Sequence, residues 1–190
     1  MKKIMMIAAM MVAAISANAQ NEVGQLTLMP KAGINISSIT GDGEGKKAKV
    51  GLVAGVEAEY GVTEKFGIDF GVLYSMEGCK NGDVKFNMDY INIPILAQYY
   101  VVKGLAIKAG IQPAFNVRGK WSADGESGKM KDIGYEPKAF NFSIPVGLSY
   151  EYQNFVLDAR YNIGVTKLVK DADQGRNSTF AITLGYKFAL

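Results

Sequence analysis

From Phe140 to Val165 the chain alternates between two kinds of residue. Phe140, Phe142, Ile144, Val146, Leu148, Tyr150 and Tyr152 hold one set of positions, and Asn141, Ser143, Pro145, Gly147, Ser149 and Glu151 the other. After Gln153-Asn154 the pattern resumes, with Phe155, Leu157, Ala159, Tyr161, Ile163 and Val165 set against Val156, Asp158, Arg160, Asn162 and Gly164. A period of two predicts strands with unlike faces, and the two-residue break predicts a tight hairpin. Both runs exceed the usual soluble strand of about 5–6 residues. They reach the roughly 9–11 residues that a tilted strand needs to cross a bilayer.

The same pattern recurs along the chain. Gln25–Ile36 predicts a first strand, with Leu26, Leu28, Ala32, Ile34 and Ile36 opposed to Thr27, Lys31, Gly33 and Asn35. Lys49–Tyr60 and Phe66–Met76 predict a second and third, joined by a short turn. Met88–Val101 and Leu105–Val117 predict a fourth and fifth, Phe140–Val165 the sixth and seventh, and Ser178–Phe188 the eighth. Polar, glycine-rich stretches at Ser37–Lys47, Glu77–Phe86, Arg118–Lys138 and Lys167–Arg176 read as long loops.

Long and short connections thus alternate around an even number of strands. That is the pattern of an all-β, eight-stranded antiparallel up-and-down transmembrane β-barrel, with short turns on the periplasmic side and long loops outside. Tyr60, Phe66, Tyr99, Tyr100, Tyr152, Phe155 and Phe188 fall near the predicted periplasmic ends, as an interfacial aromatic girdle would. Lys31, Glu57, Glu59, Asp69, Lys108, Glu151, Asp158, Arg160 and Lys187 fall on the inward face. An eight-stranded barrel leaves an interior just wide enough for side chains. The expectation is therefore a salt-bridged plug rather than an open channel. A first turn symmetric about Thr63 would set Glu57 opposite Asp69. Pro94, Pro113 and Pro145 lie inside predicted strands, where each deletes a ladder donor, and are expected to mark a band of bulges.

Residues 1–19 are of another kind. Lys2 and Lys3 precede an apolar run, and Ala17-Asn18-Ala19 is a small-residue cleavage site. This predicts a secretory signal peptide over 1–19 and one barrel domain over 20–190. Without Lys2 and Lys3 the chain carries 19 basic against 18 acidic residues, which gives no reason to expect nucleic-acid binding. Cys79, in the second predicted loop, is the only cysteine, so no internal disulfide forms. Histidine is absent. General base chemistry near neutral pH is most easily done by histidine, so no catalytic residue is expected. Asp42-Gly-Glu44 and Asp171-Ala-Asp173-Gln-Gly175 have weak cation-loop character, but without the later bidentate glutamate they read as solvated loops. No metal or cofactor is expected. Trp121, in the longest loop, is a candidate contact residue for a partner.

Four stretches carry a family resemblance: K-A-G-I-N-I-S at Lys31–Ser37, Y-I-N-I-P-I-L-A-Q-Y-Y at Tyr90–Tyr100, L-D-A-R-Y-N-I-G-V at Leu157–Val165 and L-G-Y-K-F at Leu184–Phe188. Together they resemble the outer-membrane β-barrel family of Bacteroidetes-type bacteria that includes PorT-like proteins. Ala189 and Leu190 depart from the terminal aromatic on which such barrels often end. The resemblance implies an outer-membrane location and, for PorT-like relatives, a link to protein secretion. The expected partners are outer-membrane lipid, the barrel-insertion machinery, and another envelope protein or an extracellular ligand at the loops, with the chain a monomer. The leading expectation is a structural or interaction protein. A small outer-membrane channel and a soluble lipocalin-like binding barrel are the alternatives.

Overall fold

The computed structural model describes residues 23–40, 46–82, 84–123, 126–134, 137–167 and 175–190. The predicted signal peptide, the 42–44 loop and residues 171–174 lie outside them. The strands are β1 (Leu26–Thr40), β2 (Lys46–Gly61), β3 (Phe66–Asn81), β4 (Val84–Asn92), β5 (Ile95–Val102), β6 (Leu105–Ala123), β7 (Glu126–Lys129), β8 (Phe140–Tyr152), β9 (Phe155–Lys167), β10 (Arg176–Tyr186) and β11 (Phe188–Ala189). One 3-10 turn, Met130–Ile133, follows β7. Neighbours run antiparallel in the order β1, β2, β3, β4 continued by β5, β6, β8, β9, β10. β10 then pairs with β1, from Lys31 opposite Gly185 to Thr40 opposite Arg176, and closes an eight-stave barrel.

The alternation sets the faces. Leu52, Val56, Phe70, Val72, Ile107, Leu148, Leu157 and Leu184 point outward and are exposed. Lys31, Glu57, Asp69, Lys108, Asp158 and Arg160 point inward and are buried. This is the reverse of a soluble ligand-binding barrel, and it places the apolar surface where lipid would meet it.

Three expectations are corrected. The strands run further than the apolar pattern does: β1 reaches Thr40, β3 and β4 take up most of the predicted Glu77–Phe86 loop, and β6 with β7 forms a hairpin inside the predicted Arg118–Lys138 loop. Beyond the bilayer both faces of a strand can be polar, so the period-two signal fades where the ladder does not. Next, the first turn leaves Glu59 opposite Asp69 and Glu57 opposite Gly71. Finally, the prolines do not shift the register. The pairings on either side of Pro94, Pro113 and Pro145 keep one alignment. The register shifts that do occur lie between Ala48 and Val53, Asp89 and Tyr90, Tyr100 and Val102, and Arg176 and Ser178.

Candidate functional site

Six side chains from five strands meet at mid-height in the lumen. Lys31 Nζ lies 2.9 Å from Glu57 Oε2 and 3.5 Å from Asp158 Oδ2. Lys108 Nζ lies 2.7 Å from Asp69 Oδ2 and 3.3 Å from Asp158 Oδ2. The Arg160 guanidinium donates to both oxygens of Glu57, at 2.9 and 3.2 Å, and to Asp158 at 3.1 Å. Three cations thus face three carboxylates, all buried. Charges removed from water must be paired and hydrogen-bonded, and this layer meets that condition. Glycines on neighbouring strands make the room. Lys31 is flanked by Gly55 and Gly185, Glu57 by Gly71, and Gly147 lies between Lys108 and Arg160. A Cβ on Gly71 would come within 2.7 Å of Glu57 Cγ.

A second layer sits toward the short turns. Lys187 Nζ contacts Glu59 at 2.7 Å and Glu151 at 2.6 Å, and it also donates to Tyr100 Oη at 2.9 Å. Tyr100 in turn donates to Glu59 at 2.9 Å, and Gln98 donates to the same oxygen at 2.8 Å. Tyr100 therefore faces the lumen and is not part of the outer girdle.

A third layer lies toward the long connections. Glu77 is buried and accepts from Ser75 and Asn92 on one oxygen and from Asn177 and Thr179 on the other. Above it the lumen turns apolar. Met88, Tyr90 and Ala114 pack with Met130, which the 3-10 turn delivers into the mouth. A small cavity of about 20 Å³ separates the mid layer from the Glu77 layer; Val53, Leu73 and Ala181 line its apolar side. Arg160 Nε, Asn162 Oδ1 and Thr183 Oγ1 make no hydrogen bond to protein.

The remaining candidates fall as follows. Tyr60, Tyr99, Tyr152 and Phe155 are exposed at the short-turn end, with Phe66 and Phe188 half-buried beside them. Tyr186 joins this group, with its ring 5.1 Å from Phe155 and 4.7 Å from Phe188. Trp121 is not on a loop: it lies on β6 opposite Phe86 and Gly128, half-buried, with Nε1 close above Gly128. Cys79 is buried in the wall on β3. Sequence reasoning missed Gln98, Glu77, Tyr90 and Met130. The parity of the stave Met88–Val101 marks Tyr90 and Gln98 as inward, but nothing in the local pattern singles out Glu77 or Met130.

Three comparisons place this architecture. A family model described as "Outer membrane protein beta-barrel domain" matches residues 18–170. No curated protein matches in sequence. Among solved structures, the chain is similar to the attachment invasion locus protein Ail of Yersinia pestis, with 18% identity over 88% of this chain and 100% of that one and a TM-score of 0.55. Neisserial surface protein A gives 16% identity over 86% and 97%, with a TM-score of 0.61. OprG from Pseudomonas aeruginosa gives 11% identity over 90% and 98%, with a TM-score of 0.51. Ail also matches in complex with the heparin analogue sucrose octasulfate, at 17% identity over 88% and 100% and a TM-score of 0.58. At these identities the likeness is one of fold.

Proposed function

The chain belongs to the outer membrane protein β-barrel domain family, and from that premise we propose that it is a plugged barrel that works by contact through its outer ends rather than by conduction. The observation that carries this reading is how the described residues fill the lumen. Two ionic layers, the Glu77 layer and the Met88–Tyr90–Met130 lid succeed one another along the axis. An ion crossing the mid layer would have to displace paired charges held in a medium where each costs several kcal/mol to strand. The partner we infer is another envelope component or an extracellular ligand. Resemblance to PorT-like proteins supports an envelope protein connected with secretion, while the neighbour Ail is named with an anionic saccharide. The absence of histidine supports a role without catalysis.

Planar-bilayer recording of the purified barrel tests the plug: no steady unitary conductance is expected, and a reproducible open level would overturn it. A photo-crosslinking residue at Asp132 tests the contact in whole cells. One discrete adduct is expected, absent when the probe sits at Lys103 in a short turn. Identical adduct patterns at both positions would remove the case for the outer ends.

A further inference from the structure

The outward face above the apolar band carries lysines set directly against one another. Lys47 on β2 lies opposite Lys80 on β3, and Lys80 lies opposite Lys85 on β4. Lower on the same face Lys120 on β6 lies opposite Lys129 on β7. Arg118 stands two residues below Lys120, turned outward by the register shift at Asp89 and Tyr90, with its side chain half exposed. Directly opposed residues sit about 4.5–5.5 Å apart at Cβ, and like charges there destabilise the sheet. Among the described residues the acids nearby do not cancel the five lysines. Asp89 lies 3.5 Å from Arg118 and accepts from Tyr74, and Asp132 accepts from the backbone N–H of Lys129. Glu126 lies opposite Ala123 at the far end of the hairpin. Among the described residues no carboxylate makes an ion pair with Lys47, Lys80, Lys85, Lys120 or Lys129.

The position of this face narrows the ligand. The apolar outward residues end at Ile91, Phe115 and Val117, and Arg118 and Lys120 follow at once. At about 3.3 Å per residue, Lys120 stands roughly 10 Å along the strand from Val117. Lys85 stands higher again, six residues beyond Ile91. A cationic face that begins at the edge of the lipid band and climbs away from it matches an anion held at the membrane surface and tall enough to meet two tiers of charge. We propose that this β2–β3–β4–β6–β7 face binds an outer-leaflet glycolipid whose saccharide headgroup carries two or more phosphates. Arg118, Lys120 and Lys129 hold the lower phosphate, and Lys80 and Lys85, with Lys47, the upper. The inference rests on the long connections facing outside, and it is independent of the plug: a conducting lumen would end that reading and leave this one intact.

The test uses the whole barrel in detergent, titrated with a diglucosamine glycolipid bearing two phosphates and with its dephosphorylated form, bound species being counted by native mass spectrometry. The phosphorylated lipid is expected to bind at least tenfold more tightly, and more weakly as salt rises. Arg118→Gln/Lys120→Gln/Lys129→Gln is expected to lose at least tenfold. Lys80→Gln/Lys85→Gln, on other strands, guards against a folding defect in the first variant and is expected to lose less. Lys103→Gln is expected to bind as the parent does. Equal binding of the two lipids, or parent-like binding by both multiple variants, would overturn the proposal. So would retention of soluble sucrose octasulfate on these residues without retention of the lipid, because the ligand would then arrive from outside the membrane.

Discussion

Glu57 is fully buried, and both its oxygens are occupied, one by Arg160 and the other by Arg160 and Lys31. Removing one partner of such a pair strands the others, at a cost of about 3–5 kcal/mol. Glu57→Ala is therefore expected to lower the unfolding free energy by about that amount, measured by urea titration of the barrel in lipid vesicles. A loss below about 1 kcal/mol would mean that Asp158 takes over both cations. The opposite sign is expected at Gln153, which holds a left-handed backbone (φ 55°) in the β8–β9 turn. Gln153→Gly should stabilise by about 0.5–1 kcal/mol in the same titration, since only glycine adopts that region without steric cost. The sequence showed the inward residues of the mid layer because alternation assigns a face. Two positions apart on one strand face, Asp158 and Arg160 are legible as a pair, but a partner across the lumen depends on the shear of the closed barrel: Arg160 meets Glu57 across 103 positions of chain. Tyr100 was misassigned for a simpler reason. Its neighbour Tyr99 is outward, and an aromatic near a turn resembles a girdle residue whichever way it points.

At the scale of the strand, alternation located all eight staves and misjudged where they end, because it reports the bilayer rather than the ladder. The prolines show the same limit. Gly71 N–H donates to Pro94 O at 3.2 Å, and Ile93 N–H donates to Pro113 O at 2.9 Å. In an antiparallel pair of this kind the two residues exchange both bonds. Pro94 and Pro113 cannot return theirs, so the stave loses a donor toward β3 and receives none from β6 at one height. That accounts for the gap between β4 and β5 without any bulge. The amides of Ile93 and Gly71 are expected to exchange at least tenfold faster than those of Leu157 and Ile182. Pro113→Ala restores a donor facing Ile93 O and should slow exchange at Ile93, read by hydrogen–deuterium exchange in lipid discs. Equal protection at all four sites in the parent would show that the missing bonds cost the ladder nothing. The opposed lysines raise a second question at this scale. Lys129→Glu replaces a repulsive cross-strand pair with an attractive one and should stabilise by about 0.2–1 kcal/mol, so the parent residue is better explained by what it binds than by what it holds together.

For the molecule as a whole, closure and plugging are separable. Closure is the β1–β10 seam, where Ala32, Gly33 and Ile34 face Leu184, Thr183 and Ile182. A Cβ on Gly33 would come 2.0 Å from the backbone oxygen of Ile182, which no rotamer change relieves. Plugging is the ionic core, whose side chains could be lost while every stave stayed paired. Closed barrels resist detergent until heated because they unfold slowly and all at once. On a denaturing gel without boiling, the parent should run as a compact band that shifts on boiling. Gly33→Val should abolish the compact band, since an open sheet leaves two unpaired edges. Glu57→Ala should keep it and shift it at a lower temperature. If Glu57→Ala instead abolished the band as Gly33→Val does, the charges would be part of what closes the barrel. The sequence logic that put apolar residues outside and paired charges inside would then describe one cooperative step rather than two.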